Sequence, residues 1–496
     1  MEIPVIVAAA QLTQARDAAA PEDPLSLMEK VAREALAEPG AKGFSSQVDV
    51  LHCVNILSWQ YGDAPGELAK RLGISPHEAL YHTLGGNTPQ LLLNRAAQAV
   101  ARGSARAVLI AGAESGAAVR RLQKGQVNLS WPAPAPPGKE EGKGLEGMSL
   151  TELSYEFFVP PFAYAFFENA LRYALGRSLS GHREAMGKIC SRLSAVAARN
   201  PYAWSRTAYT PEEIFEPGPG NRMVVYPYTI RMNANIYVDQ AAAVVVTSER
   251  VAKELGIDPD LWVYPLSGAH LNNIWYASNR PTLHDSPALR EAGRLALSRA
   301  GIGVSEVGVF DFYSCFPWAV EAARQELGVP EDDPRDLTVT GGLAYFGGPG
   351  NDYVLHSIAE TVSRIRRQKE LIGLVTALGW FNTKWAVGIY GKNPAGYDWS
   401  FSEEPAIQKA LDSEGLPDPV AQADGRLTLE SYVISHGPDG MPDRASAVGR
   451  LADGRRAWAA VDADSAALAQ MEQTELVGRT GHVRFDAGTG RNLVLL

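Results

Sequence analysis

Two glycine-rich turns are the segments of this sequence best suited to hold a reactive group. Gly85, Gly86 and Asn87 form the first turn, and Gly347 and Gly348 open the second. Each turn leads into a helical pattern and then an apolar strand. Glycines at a helix start let a ligand approach free backbone N–H groups, which bind an anionic oxygen. Neither turn contains Cys, Ser or His, so the pattern predicts a carbonyl-binding site without a nucleophile of its own.

Side chains that could transfer protons lie beside both turns. Tyr313 and Cys315 directly follow a predicted buried strand, at the sheet edge where α/β proteins bind ligands. His82 precedes the first turn, while Tyr345 and His356 flank the second. Tyrosine and histidine suit acid–base catalysis, and cysteine suits acyl transfer. Each residue also has a structural interpretation, as a small core cysteine, a hydrogen-bonded core tyrosine or a buried histidine, and both interpretations stay open.

Alternating strands and helices must position these groups. Residues 4–11 and 48–57 have the pattern of buried strands, and residues 25–37 and 65–72 that of helices. Such alternation predicts a mostly parallel sheet with helices on both faces. The second turn leads into a helix with an apolar stripe made of Val354, Ile358, Val362 and Ile365. Because the strand–turn–helix–strand unit occurs twice, the sequence predicts an α/β protein of two similar halves.

Changes in composition along the chain predict its domain organisation. A segment rich in proline, glycine and charge at residues 131–144 interrupts the first half, and residues 391–399 have the composition of a linker. Short strand patterns separated by GPDG, ADG and GTG turns follow the linker and indicate an OB-like barrel. We expect five parts: residues 1–119, the N-terminal half; 120–225, an insertion; 226–262, the end of that half; 263–392, the second half; and 400–496, a β-rich domain.

Composition narrows the classes of function. The 496 residues carry a net charge of −10 and no basic stretch, which argues against nucleic acid as the main partner. Only three cysteines occur and none forms a CxxC motif, so we predict no metal site. The opening segment has the pattern of a buried strand rather than of a signal peptide, and we predict no membrane span. A cytoplasmic protein is the simplest expectation.

Five motifs in the same order resemble the thiolase superfamily over roughly residues 1–392. DQAAAVVVTSERVAKELG resembles the DGAAA turn, GGLAYFGGPG the GGxxxxGHP turn, and DFYSCF the NEAF or HDCF segment of that family. GLVTALGWFNTK stands where a CxG motif and the final hairpin would be, and the helix after the first turn matches the helix that follows the family's nucleophile. With its β-rich C-terminal domain, the chain is most similar to thiolase-like proteins of type 1.

The resemblance implies a fold and a ligand. It implies two βαβαβαββ halves in five αβαβα layers, with an insertion loop domain and an additional OB-like domain. It also implies CoA or acyl-CoA as substrate or ligand, and no covalently bound cofactor. Thiolases typically dimerise through a strand beside the first turn. The extra domain could block that surface, so homodimer and monomer both remain open, and the C-terminal domain could dock a protein partner.

The residues that the resemblance places at the catalytic positions are unusual. The acylated Cys of thiolases falls on Gly86, the GHP histidine on Gly348 and the CxG cysteine on Ala377. The Asn or His that positions a water near the oxyanion falls on Tyr313. Thiolytic chemistry needs a thiolate and its base, which these residues do not supply. Backbone N–H groups of Gly86, Asn87, Gly348 and Gly379 could still form an oxyanion pocket.

Two hypotheses from different classes follow. The first is an acyl-CoA-dependent acyltransferase or C–C bond-forming or -cleaving enzyme of lipid metabolism, with Tyr313 as its proton carrier. Cys315 and His356 are the further catalytic candidates, and the expected ligand contacts come from His82, Gly85, Gly86, Asn87, Tyr345, Gly347, Gly348, Ala377 and Gly379. The second is a non-catalytic acyl-CoA-binding protein or scaffold. Oligonucleotide binding by the C-terminal barrel is disfavoured because acidic residues accompany its arginines.

Overall fold

The computed structural model describes residues 1–142, 144 and 146–496. Sixteen strands lie within these residues. In chain order they are β1 (Pro4–Thr13), β2 (Val48–Cys53), β3 (Glu78–Tyr81), β4 (Ala107–Ser115), β5 (Met223–Tyr226), β6 (Tyr228–Thr229), β7 (Asp239–Ser248), β8 (Tyr264–Asn272), β9 (Val309–Asp311), β10 (Gly373–Gly379), β11 (Lys384–Gly391), β12 (Gly425–His436), β13 (Pro442–Leu451), β14 (Arg456–Val461), β15 (Thr480–Asp486) and β16 (Arg491–Leu495).

Fourteen α-helices lie within the described residues. They are α1 (Pro24–Ala37), α2 (Ala64–Leu72), α3 (Thr88–Ala101), α4 (Gly116–Gln123), α5 (Leu150–Ser154), α6 (Pro160–Ala174), α7 (Leu179–Arg199), α8 (Pro211–Phe215), α9 (Glu249–Glu254), α10 (Pro287–Ala300), α11 (Pro317–Glu326), α12 (Tyr353–Arg367), α13 (Glu404–Asp412) and α14 (Ser465–Met471). No helix in the described part of the chain is long and apolar enough to cross a membrane.

Two sheets enclose a central layer of helices. The first sheet has the strand order β1-β7-β4-β2-β3 and the second β8-β11-β10-β9. Helices α3 and α12 contact strands of both sheets, so they lie between them, while α1 and α2 cover the outer face of the first sheet and α10 that of the second. This is the five-layer αβαβα arrangement of the thiolase fold, and the predicted fold class is confirmed.

The second half differs from the first by one strand. The first half follows the predicted βαβαβαββ pattern, but residues 335–346 of the second contain no strand among the described residues. Asp311 explains why this segment is stable without the hydrogen bonds of a β-sheet. Its buried carboxylate accepts hydrogen bonds from the Thr338 hydroxyl (2.8 Å) and the backbone N–H of Val339 (2.9 Å) and Thr340 (3.2 Å). A side chain thus satisfies the polar groups that a neighbouring strand would pair.

The C-terminal region forms a closed barrel of five strands. The order β13-β14-β16-β15-β12 is closed by pairing between β12 and β13, which fits the predicted OB-like domain. Strand β12 also pairs with β5, where Ile434 lies opposite Tyr226 and Ser435 opposite Val225. The middle of the chain therefore contributes β5 and β6 to the C-terminal sheet.

The connector to this barrel is packed onto helix α3. Trp399 is buried against Ala97 and Ala101, and its carbonyl accepts a hydrogen bond from the Gln98 side chain at 2.8 Å. The segment predicted as a linker is thus anchored to the helix that begins at the first turn. This contact restrains α3 from its C-terminal end.

Candidate functional site

The two glycine turns meet in the centre of the molecule. The backbone N–H of Gly85 donates to the Asn351 side-chain oxygen at 2.8 Å, and the Asn351 amide donates to the Asn55 carbonyl at 3.1 Å. Asn351 is buried and lies just before α12. Turns that are 266 residues apart in sequence are therefore joined by one side chain. The structure brings together the ends of the two central helices.

Tyr313 fills the space beside Gly86. A Cβ at position 86 would overlap the Tyr313 hydroxyl and would lie 2.6 Å from the Leu378 carbonyl oxygen. The backbone N–H of Tyr313 donates to the Thr376 hydroxyl at 2.9 Å, which holds the segment against β10. The phenol hydroxyl makes no hydrogen bond within the described residues. A phenol thus occupies the position where the resemblance would place a nucleophilic side chain.

Burial keeps Tyr313 and Cys315 protonated. Burial, with the neighbouring Cys315 and Tyr353, raises the pKa of Tyr313 well above 10, although 7% of the residue is exposed. Burial also raises the pKa of Cys315 to about 12, with a small opposing effect from a hydrogen bond to Tyr164. A thiol with that pKa is a poor nucleophile at neutral pH. Tyr313 is the better candidate for chemistry, as a proton donor.

The first turn offers two backbone donors at its glycine and asparagine, whereas the Gly348 donor of the second turn is engaged. Among described residues, the N–H groups of Gly86 and Asn87 have no acceptor, and they precede the 14-residue helix α3, whose N-terminus favours negative charge. Gly86 is also partly exposed. The N–H of Gly348 instead donates to the Asn235 carbonyl at 2.9 Å. The donor expected from Gly348 is therefore already engaged.

Side chains from the first half fill the second turn. A Cβ at Gly347, whose φ is 122°, would overlap the Gln240 side-chain oxygen. A Cβ at Gly350, whose φ is 46°, would overlap the Glu114 carboxylate. Glu114 in turn accepts backbone N–H groups of residues 57 and 58, at 2.7 and 2.8 Å. The second turn is glycine-rich because polar side chains approach its backbone closely.

His356 lies inside the fold, away from the exposed edge of the first turn. It is fully buried on α12, its Nδ1 lies 3.0 Å from the Gln11 side-chain oxygen, and its Nε2 lies 3.6 Å from the Asp352 carboxylate. Burial raises the pKa of Asp352. Burial also raises the pKa of Glu114 to about 7. These three groups form a buried polar cluster beneath the second turn.

His82 and Tyr345 have structural surroundings. His82 Nε2 lies 3.0 Å from His52 Nδ1, and burial lowers the pKa of His82 to about 2, so the pair is neutral. Tyr345 packs against Tyr209 with ring centroids 6.0 Å apart, and burial beside the Cys190 thiol of α7 raises its pKa well above 10. Neither residue touches the first turn through the contacts described.

Ala377 and Gly379 lie on β10, in the hairpin with β11. Ala377 is fully buried opposite Ala386 and offers only a methyl group. A Cβ at Gly379 would overlap the Asn87 side-chain oxygen, so glycine at this position allows Asn87 to pack there. That oxygen is buried and has no hydrogen-bond partner in the part of the chain that the structure describes.

Lys384 was missed by the sequence analysis. It begins β11, is 9% exposed, and its ammonium donates to the carbonyl of Leu84. Its Nζ lies 2.6 Å from the point where a Gly85 Cβ would be, beside Asn87. Burial lowers the pKa of Lys384 to about 8. Lys384 is the one charged residue between Gly373 and Gly391, and that was the signal that could have identified it.

A wide cleft lies elsewhere. Its volume is about 980 Å³, and its lining includes Glu34, Glu38, Arg364, Arg366 and Arg367. These arginines belong to the last turn of α12, whereas the glycine turns lie at its beginning. The cleft contains none of the predicted site residues.

Comparison with known proteins agrees with this architecture. Residues 406–488 match the model of the thiolase-like protein type 1 additional C-terminal domain. The crystal structure of a monomeric SCP2-thiolase like protein type 1 from Mycobacterium smegmatis is 30% identical, with a TM-score of 0.85, over 100% of this chain and 99% of that one. An Ltp2-ChsH2(DUF35) aldolase structure is 20% identical, with a TM-score of 0.59, over 79% of this chain and 98% of that one, and shows the fold alone.

Curated relatives match a shorter part of the chain. A 3-ketoacyl-CoA thiolase of Serratia proteamaculans is 28% identical over 159 residues, which are 29% of this chain and 35% of the relative. The chain thus spans about a third of the length of such relatives.

The fold and the paired turns define a thiolase-like protein. More narrowly, the chain belongs to the family of SCP2-thiolase-like proteins of type 1.

Proposed function

We propose that this protein makes or breaks a carbon–carbon bond beside the thioester of an acyl-CoA, without an acyl-enzyme intermediate. The observation that carries the proposal is the arrangement at Gly86. There the Tyr313 hydroxyl occupies the place of a nucleophilic side chain, while the N–H groups of Gly86 and Asn87 remain available. A site with donors for an oxyanion and a protonated phenol suits enolate chemistry. A role in lipid metabolism would follow from this substrate class.

In the cleavage direction, a β-hydroxyacyl thioester would bind with its carbonyl oxygen on the N–H groups of Gly86 and Asn87. A base removes the β-hydroxyl proton, the Cα–Cβ bond breaks, and its electron pair forms the thioester enolate. The two N–H donors at the N-terminus of α3 stabilise the negative charge on the enolate oxygen. Tyr313 then gives its proton to Cα, so that a ketone or aldehyde and a shortened acyl-CoA leave.

The protonation of the Cys315 thiol and the similarity to known proteins support the proposal. Cys315 has a pKa of about 12, which disfavours acyl transfer through its sulfur. The curated relatives named 3-ketoacyl-CoA thiolase favour a CoA thioester as the ligand. The neighbouring aldolase structure indicates that this fold can host C–C cleavage. Because that likeness concerns the fold, the reaction rests on the geometry at Gly86.

Removal of the phenol hydroxyl tests the proposal. Tyr313→Phe should lower kcat/KM for β-hydroxyacyl-CoA cleavage by about 10²–10⁴-fold, the usual effect of removing an acid–base group. Stability should change little, since the hydroxyl makes no hydrogen bond within the described residues. Tyr345→Phe is the matched control, because that hydroxyl is buried away from the first turn, beside the Cys190 thiol. Equal activity of Tyr313→Phe and wild type would exclude Tyr313 from the mechanism.

A non-catalytic acyl-CoA-binding protein is the alternative. It is favoured by the low exposure of Tyr313 and by the position of the large cleft at the opposite end of α12. Calorimetry with CoA and acyl-CoA separates the two functions. Micromolar binding without turnover would support the alternative, and no binding would exclude both.

A further inference from the structure

Lys384 and Tyr313 approach consecutive residues of the first turn. The Lys384 amine lies where a side chain at Gly85 would begin, and the Tyr313 hydroxyl lies where one at Gly86 would begin. Given the fixed spacing of consecutive Cα atoms, the amine and the phenol are at most about 12 Å apart. Both groups therefore lie at the first turn.

The surroundings of Lys384 leave its charge uncompensated. Its hydrogen bond goes to the Leu84 carbonyl, and it forms no ion pair with any carboxylate in the described residues. Asn272 lies opposite it on β8 and Gly379 opposite it on β10, while Asn87 lies beside it in the first turn, and none of these residues titrates. Tyr313 is the titratable group at the same turn. A buried ammonium with one neutral partner is costly, which favours the neutral amine.

We propose that Lys384 is the general base of this site and works with Tyr313 as the general acid. This inference rests on the proposed function, because it names the second proton-transfer group that the cleavage requires. The Asn87 oxygen beside the amine has no partner in the described residues and would accept a hydrogen bond from a bridging water. The substrate class is then a β-hydroxyacyl thioester whose hydroxyl reaches toward Gly85.

The proton balance closes over one turnover. The neutral Lys384 amine takes the β-hydroxyl proton as the Cα–Cβ bond breaks, and Tyr313 delivers a proton to the enolate carbon. The enzyme is left with an ammonium and a phenolate. A proton passes from Lys384 to Tyr313, directly or through water, and both groups return to their starting state. The lowered pKa of Lys384, about 8, and the raised pKa of Tyr313 assign base and acid respectively.

The first test measures the amine without any turnover. The intact protein is pulsed with formaldehyde and cyanoborohydride between about pH 6 and pH 10, and methylation of each lysine is followed by mass spectrometry. Lys384 should be labelled with a midpoint near pH 8, and excess acyl-CoA should protect it. The exposed Lys139, whose side chain is 86% accessible, is the internal reference. A midpoint above 10, no labelling at any pH, or no protection would each overturn the assignment.

The second test uses activity. We expect kcat/KM of the wild type to rise with pH through about 8, and Lys384→Met to lose at least 100-fold without a lower Tm. Lys384→Arg should stay protonated and equally inactive at all pH values. A merely structural lysine would instead lower Tm in Lys384→Met and leave the pH profile unchanged. Because labelling needs no turnover, failure of the proposed reaction can be distinguished from failure of the Lys384 assignment.

Discussion

The two glycine turns have similar sequences and opposite surroundings. The first turn is partly exposed at Gly86 and has two N–H groups without an acceptor among the described residues. The phenol of Tyr313 and the amine of Lys384 approach it. Gly347 and Gly348 of the second turn are buried, and the Gly348 N–H is bonded to Asn235. Duplication therefore preserved the backbone motif in both halves, while its neighbours made one a candidate site and the other a structural junction.

The difference shows that glycine has two structural roles in this fold. At Gly86, glycine makes room for the phenol of Tyr313, a side chain from the other half. At Gly347 and Gly350, glycine admits Gln240 and Glu114, whose polar atoms complete buried hydrogen bonds or pack against the backbone. The glycine motif alone does not distinguish a candidate site from a structural junction, because the residues that pack against each glycine come from distant segments of the chain.

The largest expected difference is between alanine substitutions at the two turns. Gly86→Ala places a methyl group on the Tyr313 hydroxyl, so we expect at least 100-fold lower activity and a loss of about 1–3 kcal/mol in the free energy of unfolding. Gly348→Ala finds its nearest neighbouring atom at 3.4 Å and should change stability by about 0.5 kcal/mol or less. Steady-state assays and urea unfolding measure both. Equal effects of the two variants would contradict the division of roles between the turns.

The buried carboxylate beneath the second turn should produce a pH-dependent stability. Since burial raises the pKa of Glu114 to about 7, the folded protein binds a proton there that the unfolded chain binds only near 4.5. Its contribution to the free energy of unfolding therefore increases as pH falls from about 7 to 4.5. Glu114→Gln should remove this slope, so wild type should gain up to about 3 kcal/mol relative to the variant between pH 8 and 4.5. Urea midpoints across this range that run parallel for the two proteins would show that Glu114 titrates normally.

A smaller effect should come from uncoupling the turns. Asn351→Leu removes the acceptor of the Gly85 N–H and leaves that donor buried, at a cost of about 1–2 kcal/mol. Because the first turn then loses a support, labelling of Lys384 should also lose its protection by acyl-CoA. Unfolding curves and the labelling assay measure the two effects. Unchanged protection would mean that the first turn holds its shape without the second.

The fold could be predicted from sequence because its signals are local and repeated. Apolar strands, the α12 stripe and the duplicated turns each span few residues, and they predicted an α/β protein of two similar halves. The five motifs that resemble the thiolase superfamily predicted the confirmed thiolase fold, and the short strands after the linker predicted the C-terminal barrel. The missing third strand of the second half was not predicted. There the buried carboxylate of Asp311 replaces a strand's hydrogen bonds, and the pattern of apolar residues does not reveal that exchange.

The site was less accessible to sequence reasoning. Tyr313 was chosen from its place after a strand, and the structure brings it to Gly86. His356 follows the second turn in sequence, yet it lies inside α12 with Gln11 and Asp352. Lys384 was not predicted because its hydrogen-bond partner, Leu84, is 300 residues away and because the pKa of Lys384 depends on burial. Contacts over such separations become visible only when the two halves are packed together.

The pairing of β12 with β5 constrains the order in which the chain can assemble. Residues 223–226 leave the ribosome about 200 residues before Ile434 and Ser435, their partners in the barrel. At a synthesis rate of about 5–20 residues per second, β5 is synthesised roughly 10–40 s before the segment of β12 that pairs with it. The thiolase-like body must therefore remain competent to accept a late strand, and the barrel is completed only after β16 has been synthesised.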